Sequence, residues 1–210
     1  MNRLVYLDHN ASTPVLPRVR EAAAPAQTAV TAAGVSGPAE EPASVVDLAG
    51  RASRPLEDAT AKVTVLVFVG TDCPISNRYA PEIRRLQGQF APQGVAFWLV
   101  YARRNESVDA VRHHLGEYFE AAAAVRDPEH QLVKRAGALV TPEAAVFAPG
   151  PRGTRLVYHG RIDDRYVDFG RARAAPTTHD LEDAVAAVLA GRPVPQEVTP
   201  AVGCSIADSR

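Results

Sequence analysis

The hydrophobic pattern of the chain is dominated by two apolar runs, "KVTVLVFVG" at residues 62–70 and "GVAFWLVYA" at residues 94–102. Neither run alternates with polar residues, so each predicts a strand that is covered on both faces. Between them, "CPISNRYAPEIRRLQGQF" at residues 73–90 has apolar side chains at helical spacing, and Pro81 is expected to kink this helix. A strand, a crossover helix and a second strand predict a parallel pair.

Downstream, helical and strand-like patterns alternate. The expected elements are a helix at 105–119, a strand at 121–127, a helix at 127–138, a hairpin of strands at 143–148 and 154–160, and a closing helix at 178–191. Asn105 and Asp127 are the expected N-caps of the first two of these helices. The order predicts an α/β fold with a mixed central sheet and helices on both faces.

Composition divides the 210-residue chain into three parts. Residues 21–44 are rich in Ala, Pro, Thr and Gly without hydrophobic periodicity, so residues 1–44 are expected to form a disordered extension and linker. Residues 45–192 are expected to fold as one domain. Residues 193–210 predict an extended, disordered C-terminal tail that carries Cys204.

Charge and hydropathy narrow the range of partners and locations. The formal net charge is −1 and the isoelectric point about 6.6, which indicates neither a nucleic-acid nor a membrane-surface partner. Apolar runs are shorter than a membrane span, and the N-terminus lacks an apolar core of signal-peptide length. A cytoplasmic location is therefore expected. The sequence leaves the oligomeric state open.

Cys73 is the candidate reactive group. It follows the first buried strand, and Pro74 suits the first helical position, which makes Cys73 the expected N-cap. Helix N–H groups and the helix dipole favour a thiolate there, whereas the neighbouring charge of Asp72 would raise the pKa of the thiol. The same position also suits a buried, unreactive cysteine.

A second motif makes a family resemblance specific. Thr141-Pro142 precedes a predicted strand, and together with "TDCPISNRYAPE" and "GRIDDRY" it resembles the thioredoxin-like superfamily, in particular redoxins of the alkyl hydroperoxide reductase/thiol-specific antioxidant group. The resemblance covers roughly residues 45–191. It implies that Cys73 is the nucleophile, that Pro142 is cis and lies against the sulfur, and that Thr141 offers backbone hydrogen bonds to an extended thiol substrate.

The chain departs from both common patterns of this superfamily. A dithiol site has a second cysteine where this chain has Ser76, which cannot resolve a mixed disulfide but can donate a hydrogen bond to the Cys73 thiolate. Peroxiredoxins resemble P-x-x-x-T-x-x-C, and the corresponding positions here are Leu66 and Gly70. Peroxidase activity is therefore only an alternative.

Cys204, in "TPAVGCSI", has two interpretations. It is either a resolving thiol, with Gly203 easing a close approach to Cys73, or a free surface thiol. The main hypothesis is a thiol–disulfide oxidoreductase acting on a thiol or disulfide protein or a small thiol; a binding module without catalysis and a thiol peroxidase are the alternatives. No motif predicts a cofactor or a metal.

His113 and His114 are adjacent on a predicted helix, where neighbouring side chains point apart, so both are expected at the solvated surface.

Residues 5–23 resemble the start of a cysteine desulfurase, but neither Lys62 nor Lys134 has the sequence context of a Schiff-base lysine. No pyridoxal-phosphate chemistry is expected.

Overall fold

A computed structural model describes residues 45–120, 122–151 and 153–206. The predicted N-terminal extension, including the desulfurase-like segment, lies outside the described residues. The strands are β1 (Val45–Val46), β2 (Ala52–Ser53), β3 (Val63–Val69), β4 (Val95–Tyr101), β5 (Ala124–Arg126), β6 (Val140–Thr141), β7 (Glu143–Gly150), β8 (Gly153–Gly160), β9 (Tyr166–Asp168), β10 (Arg171–Ala172) and β11 (Cys204–Ser205). The helices are α1 (Pro74–Phe90), α2 (Val108–Tyr118), α3 (Gln131–Ala136) and α4 (Asp180–Leu189).

Seven strands form the main sheet, in the order β2-β1-β5-β4-β3-β7-β8. Strands β3, β4 and β5 are parallel, while β7 is antiparallel to β3 and pairs with β8 in a hairpin. The predicted mixed sheet with flanking helices is confirmed. Two smaller pairs lie outside it, β9 with β10 and β6 with β11.

The central strand β3 is buried along its whole length, as its unbroken apolar run predicts. Val65 and Val67 belong to one hydrophobic cluster, which also contains the apolar face of α1. Leu66 and Phe68 point to the opposite face and join a second cluster with α3. Both faces are therefore covered, and α1 begins shortly after the buried carboxyl end of β3.

Two helix starts differ from the sequence expectation. Helix α2 is capped by Ser107, whose hydroxyl accepts a hydrogen bond from the Ala110 N–H at 3.1 Å, so the cap is not Asn105. Asp127 does bind the start of α3, but from four residues before it: its carboxylate accepts hydrogen bonds from Gln131 N at 2.7 Å and Val133 N at 3.0 Å. In both helices, the capping residue is the one whose side-chain oxygen comes within hydrogen-bond distance of a free N–H group, and the sequence pattern alone does not show this distance.

The expectation of a disordered C-terminal tail is wrong for residues 193–206. Main-chain hydrogen bonds join His159 N to Glu197 O at 2.9 Å and Thr199 N to His159 O at 3.1 Å. Beyond them β11 pairs with β6, and Ile206 is buried. The segment is ordered because a strand edge supplies hydrogen-bond partners for its backbone. Among the described residues, no helix is both long enough and apolar enough to cross a membrane.

Candidate active site

Cys73 lies where the sheet passes into α1, as predicted. It is the N-cap of α1 with extended backbone angles, Pro74 is the first helical residue, and the Cys73 carbonyl accepts a hydrogen bond from Asn77 N at 3.1 Å. The cysteine has no exposed surface. Its sulfur therefore stands at a helix N-terminus, at the carboxyl end of a central strand.

Thr141 and Pro142 lie directly against this sulfur. The Thr141–Pro142 peptide bond is cis, the isomer that the resemblance implies. The Cys73 thiol donates a hydrogen bond to the Thr141 carbonyl oxygen at 3.0 Å. Gly70 leaves room beside this contact: a Cβ atom there would lie 3.3 Å from Thr141 Oγ1, a tight distance, and 3.4 Å from Cys73 Cβ.

Ser76 sits one turn into α1 and is fully buried. In the part of the chain that the structure describes, its hydroxyl has no hydrogen-bond partner. A buried hydroxyl without a partner is unfavourable, unless a nearby group becomes an acceptor in another protonation state. Ionisation of Cys73 would supply that acceptor.

The pKa of Cys73 reflects opposing causes. Burial of the sulfur raises this pKa, while hydrogen bonds that the thiolate would accept from the Cys204 thiol, from the Ser76 hydroxyl and backbone N–H, and from the Thr141 side chain lower it. The hydrogen bonds prevail, so the pKa of Cys73 lies below its ordinary value. Asp72, expected to oppose this, instead forms an ion pair with Arg103.

Cys204 is brought to the same place by β11. Strand β11 runs antiparallel to β6 with Cys204 opposite Thr141, and both cysteines are free thiols. Burial, the hydrogen bond to Cys73 and the charge of Cys73 raise the pKa of Cys204 to about 12. The structure thus places Cys73, Ser76, Thr141, Pro142 and Cys204 together; their catalytic and substrate-binding roles stay predictions.

Arg103 is a site residue that the sequence interpretation missed. Besides its ion pair with Asp72, its guanidinium donates a hydrogen bond to the Ser205 carbonyl oxygen at 3.4 Å. It thereby connects the loop before Cys73 to the strand that carries Cys204. The sequence contains one indication of this role, since Arg103 comes just after β4. Neighbouring parallel strands end at the same edge of a sheet, so a residue after β4 lies near Cys73, which follows β3.

His114 corrects the prediction of two solvated histidines. His113 is exposed, but His114 is buried, with Nδ1 2.8 Å from the Tyr101 hydroxyl and Nε2 2.8 Å from Asn77 Oδ1. Burial lowers the pKa of His114, so the ring is neutral near pH 7. Both histidines line a surface cleft of about 300 Å³ that reaches Thr71.

Glu106 is a second residue near the site that the sequence interpretation missed. Its buried carboxylate accepts a hydrogen bond from Thr71 N at 2.7 Å, two residues before the cysteine. Burial raises the pKa of this carboxyl group, and the Thr71 hydrogen bonds oppose that shift. Glu106 therefore fixes the loop between β3 and α1.

Comparison with known families agrees with this geometry. The sequence model of the AhpC/TSA family matches residues 42–157, more than half of the chain. The chain belongs to the AhpC/TSA family. Membership supports a general thiol-redox function on a thioredoxin-like fold. The match does not extend to the desulfurase-like residues 5–23, and none of the curated proteins compared is significantly similar to the chain.

Two solved structures are similar to this AhpC/TSA-family chain over most of its length. An uncharacterized conserved protein from Geobacillus kaustophilus is 26% identical, with a TM-score of 0.68, and the match covers 80% of this chain and 89% of that protein. A hypothetical protein from Sinorhizobium meliloti 1021 is also 26% identical, with a TM-score of 0.65 and coverage of 78% and 88%. These matches support the fold and name no activity.

Proposed function

We propose that the chain is a thiol–disulfide oxidoreductase in which Cys73 is the nucleophile and Cys204 the resolving thiol. The observation that supports this most directly is the meeting of two free thiols at Thr141–Pro142, one with a lowered pKa and one with a raised pKa. With this difference in pKa, Cys73 is the thiolate that attacks the substrate, and Cys204 stays protonated until the second step.

The reaction has two exchange steps. The Cys73 thiolate attacks a disulfide R–S–S–R′, which forms Cys73–S–S–R and releases R′S⁻. Cys204 then loses its proton to solvent and attacks the Cys73 sulfur, which forms the Cys73–Cys204 disulfide and releases RS⁻. Two electrons pass from the cysteine pair to the substrate disulfide, and the reverse sequence oxidises a dithiol.

The causes of the raised Cys204 pKa suit this order. Two of them, the hydrogen bond to Cys73 and the charge of Cys73, exist only while the Cys73 sulfur is free. Once that sulfur is bonded in a mixed disulfide, both disappear, and the positive charge of Arg103 continues to lower the Cys204 pKa. The resolving thiol thus becomes easier to ionise when it is needed.

The test is a product analysis with oxidised glutathione as the probe. The unaltered chain is expected to form an intramolecular Cys73–Cys204 disulfide, detected by mass spectrometry of its peptides. Cys204→Ser is expected to stop at a Cys73–glutathione mixed disulfide, and Cys73→Ser to form no glutathione adduct at the site. If native Cys73 stays unmodified while the denatured chain reacts, the proposed function is wrong.

A thiol peroxidase is the second candidate, favoured by family membership and by the complete burial of Cys73, which suits a small oxidant. Hydrogen peroxide would oxidise the Cys73 thiolate to sulfenic acid and release hydroxide; Cys204 would then condense with it to the disulfide and release water. A Cys73 that reacts with hydrogen peroxide no faster than free cysteine eliminates this activity.

A third candidate is a binding module without catalysis. A pKa of 8.5 or more at Cys73, read from the pH dependence of its alkylation, would favour this candidate over both enzymes.

A further inference from the structure

The platform beside Cys73 is occupied by the chain's own C-terminal strand. Cys204 stands opposite Thr141 and Ser205 opposite Val140, so β11 adds an antiparallel strand to β6. Thr141 Oγ1 also donates a hydrogen bond to the Cys204 carbonyl oxygen at 3.4 Å. An extended peptide presenting a thiol to Cys73 would need these same backbone groups.

Two glycines make this close approach sterically feasible. A Cβ atom on Gly203 would overlap the Thr141 carbonyl group. A Cβ atom on Gly160 would overlap Thr199, and the backbone of Gly160 has φ +145°, which favours glycine. The tail therefore passes two points, one just before Cys204 and one on β8, where a larger residue would separate it from the domain.

Additional contacts hold the tail on both sides of Cys204. On the N-terminal side, the hydroxyl groups of Tyr158 and Thr199 lie 2.7 Å apart and are buried. On the C-terminal side, the buried Ile206 donates its N–H to the Leu139 carbonyl oxygen at 3.0 Å. These anchors hold the strand in place while both cysteines are still reduced.

We propose that residues 201–206 are an intramolecular substrate strand, which occupies the docking edge of β6 in the resting chain, must leave before a protein partner can bind, and must return to that edge before Cys204 can resolve the mixed disulfide. This inference rests on the proposed function, because it assigns the partner of that same site. The partner it fits is an extended segment that carries a cysteine, pairs antiparallel with β6 and has glycine directly before the cysteine.

Size-dependent reactivity follows from this arrangement. A protein disulfide reaches Cys73 only in the fraction of molecules whose tail has left, so its apparent affinity is reduced by that fraction. A small reagent needs a smaller opening. Weakening the tail should therefore accelerate large reagents more than small ones.

The experiment uses the full chain with Cys204→Ser, so that Cys73 is the reporting cysteine. Gly203→Ala is compared with Gly88→Ala, a matched control on α1 where an added Cβ meets no atom within 4 Å. The reagents are iodoacetamide and a maleimide that carries a polyethylene glycol chain. Gly203→Ala is expected to raise the rate with the large maleimide about tenfold, which corresponds to about 1.4 kcal/mol of lost tail docking.

Equal rates with the large maleimide in Gly203→Ala and Gly88→Ala would overturn the inference. Ile206→Ala, which removes the buried anchor without introducing an overlap, is expected to accelerate the same reaction, and circular dichroism checks that each variant folds. The pH profile of iodoacetamide alkylation, measured by mass spectrometry in the chain that keeps Cys204, reports the Cys73 pKa separately. An ordinary pKa with a size effect contradicts the proposed function, whereas a lowered pKa without a size effect contradicts the substrate strand.

A peptide added in trans tests the glycine requirement. The peptide TPAVGSSI copies residues 199–206 with serine in place of cysteine. At millimolar concentration, comparable to the effective concentration of a tethered segment, it is expected to restore protection of Cys73 in Gly203→Ala. The peptide TPAVASSI is expected to give none. Equal protection by both peptides, or protection by neither, contradicts the proposed partner specificity.

Discussion

Replacing Ser76 by alanine tests how the site stabilises a buried thiolate. The hydroxyl has no acceptor while Cys73 is protonated, and it becomes a donor to the sulfur anion after ionisation. Ser76→Ala should therefore destabilise the folded chain when Cys73 is a thiolate, and leave its stability equal or higher when Cys73 is a thiol. No other single substitution at the site isolates one donor as cleanly, because Thr141 and Cys204 also hold the tail.

The size of the effect follows from hydrogen-bond energetics. A hydrogen bond to a charged group contributes about 1.5–3 kcal/mol, and sulfur, a weak acceptor, belongs at the lower end. Since 1.36 kcal/mol corresponds to a factor of ten in an ionisation constant, Ser76→Ala should lower the acid dissociation constant of Cys73 about tenfold. The thiol form, in contrast, loses a buried hydroxyl without a partner, so its folding stability should stay equal or rise.

The assay is the pH dependence of iodoacetamide alkylation at Cys73, read by mass spectrometry separately from Cys204. Ser76→Ala should move the midpoint of the profile to higher pH, slow alkylation about tenfold below the midpoint, and leave the plateau at high pH unchanged. Ser53→Ala, on the distant strand β2, is the control. An unchanged midpoint in Ser76→Ala would refute the contact between hydroxyl and thiolate.

Stability measurements give a second readout with a defined sign. The pKa of folded Cys73 is lowered, so the ionised cysteine contributes stability above the pKa of the unfolded chain and loses it as pH falls through the folded pKa. Ser76→Ala should therefore be as stable as the unaltered chain, or more so, in mildly acidic urea denaturation. It should be less stable above about pH 9, where the unfolded thiol is also ionised.

Three further substitutions have defined outcomes. Arg103→Met removes the cation beside Cys204, so closure of the intramolecular disulfide should slow severalfold in quenched-exchange mass spectrometry, while the exposed Arg104→Met should leave it unchanged. Asp127→Ala should lower the urea-unfolding free energy by about 1–2 kcal/mol, because two N–H groups of α3 lose their acceptor; no loss would contradict the cap. The pKa of His114 is lowered by burial, so stability should fall as pH drops below about 6.5, and His114→Phe should remove that dependence.

The sequence predicted the elements that depend on long, continuous patterns. β3 and β4 are seven-residue apolar strands, and the Cys73-Pro74 junction marks a helix start by simple stereochemistry. Thr141-Pro142 marks the beginning of a strand, a position where proline can be accommodated. Each of these signals lies within a few neighbouring residues, which is why a single sequence was sufficient.

The remaining parts of the site depend on contacts between distant residues. β11 contains only two residues, too few for any periodicity, and its order comes from pairing with β6 more than sixty residues earlier. The burial of His114, on α2, depends on Tyr101 from β4 and Asn77 from α1. Gly203 alone hinted at a close approach, but the group it approaches could not be identified from the sequence.

The wide separation of the two cysteines along the chain links the oxidation state to folding. Cys73 and Cys204 are more than one hundred residues apart, so a bridge between them would close most of the described domain, from α1 to β11, into one loop. In the chain-entropy model, closing a loop of about 100 residues stabilises a folded protein by about 4.7 kcal/mol. By thermodynamic reciprocity, the native fold favours the bridge by the same amount. If the proposed disulfide forms, an oxidised copy that unfolds would therefore be much easier to reduce, and only folded molecules would keep the disulfide in a thiol-rich environment.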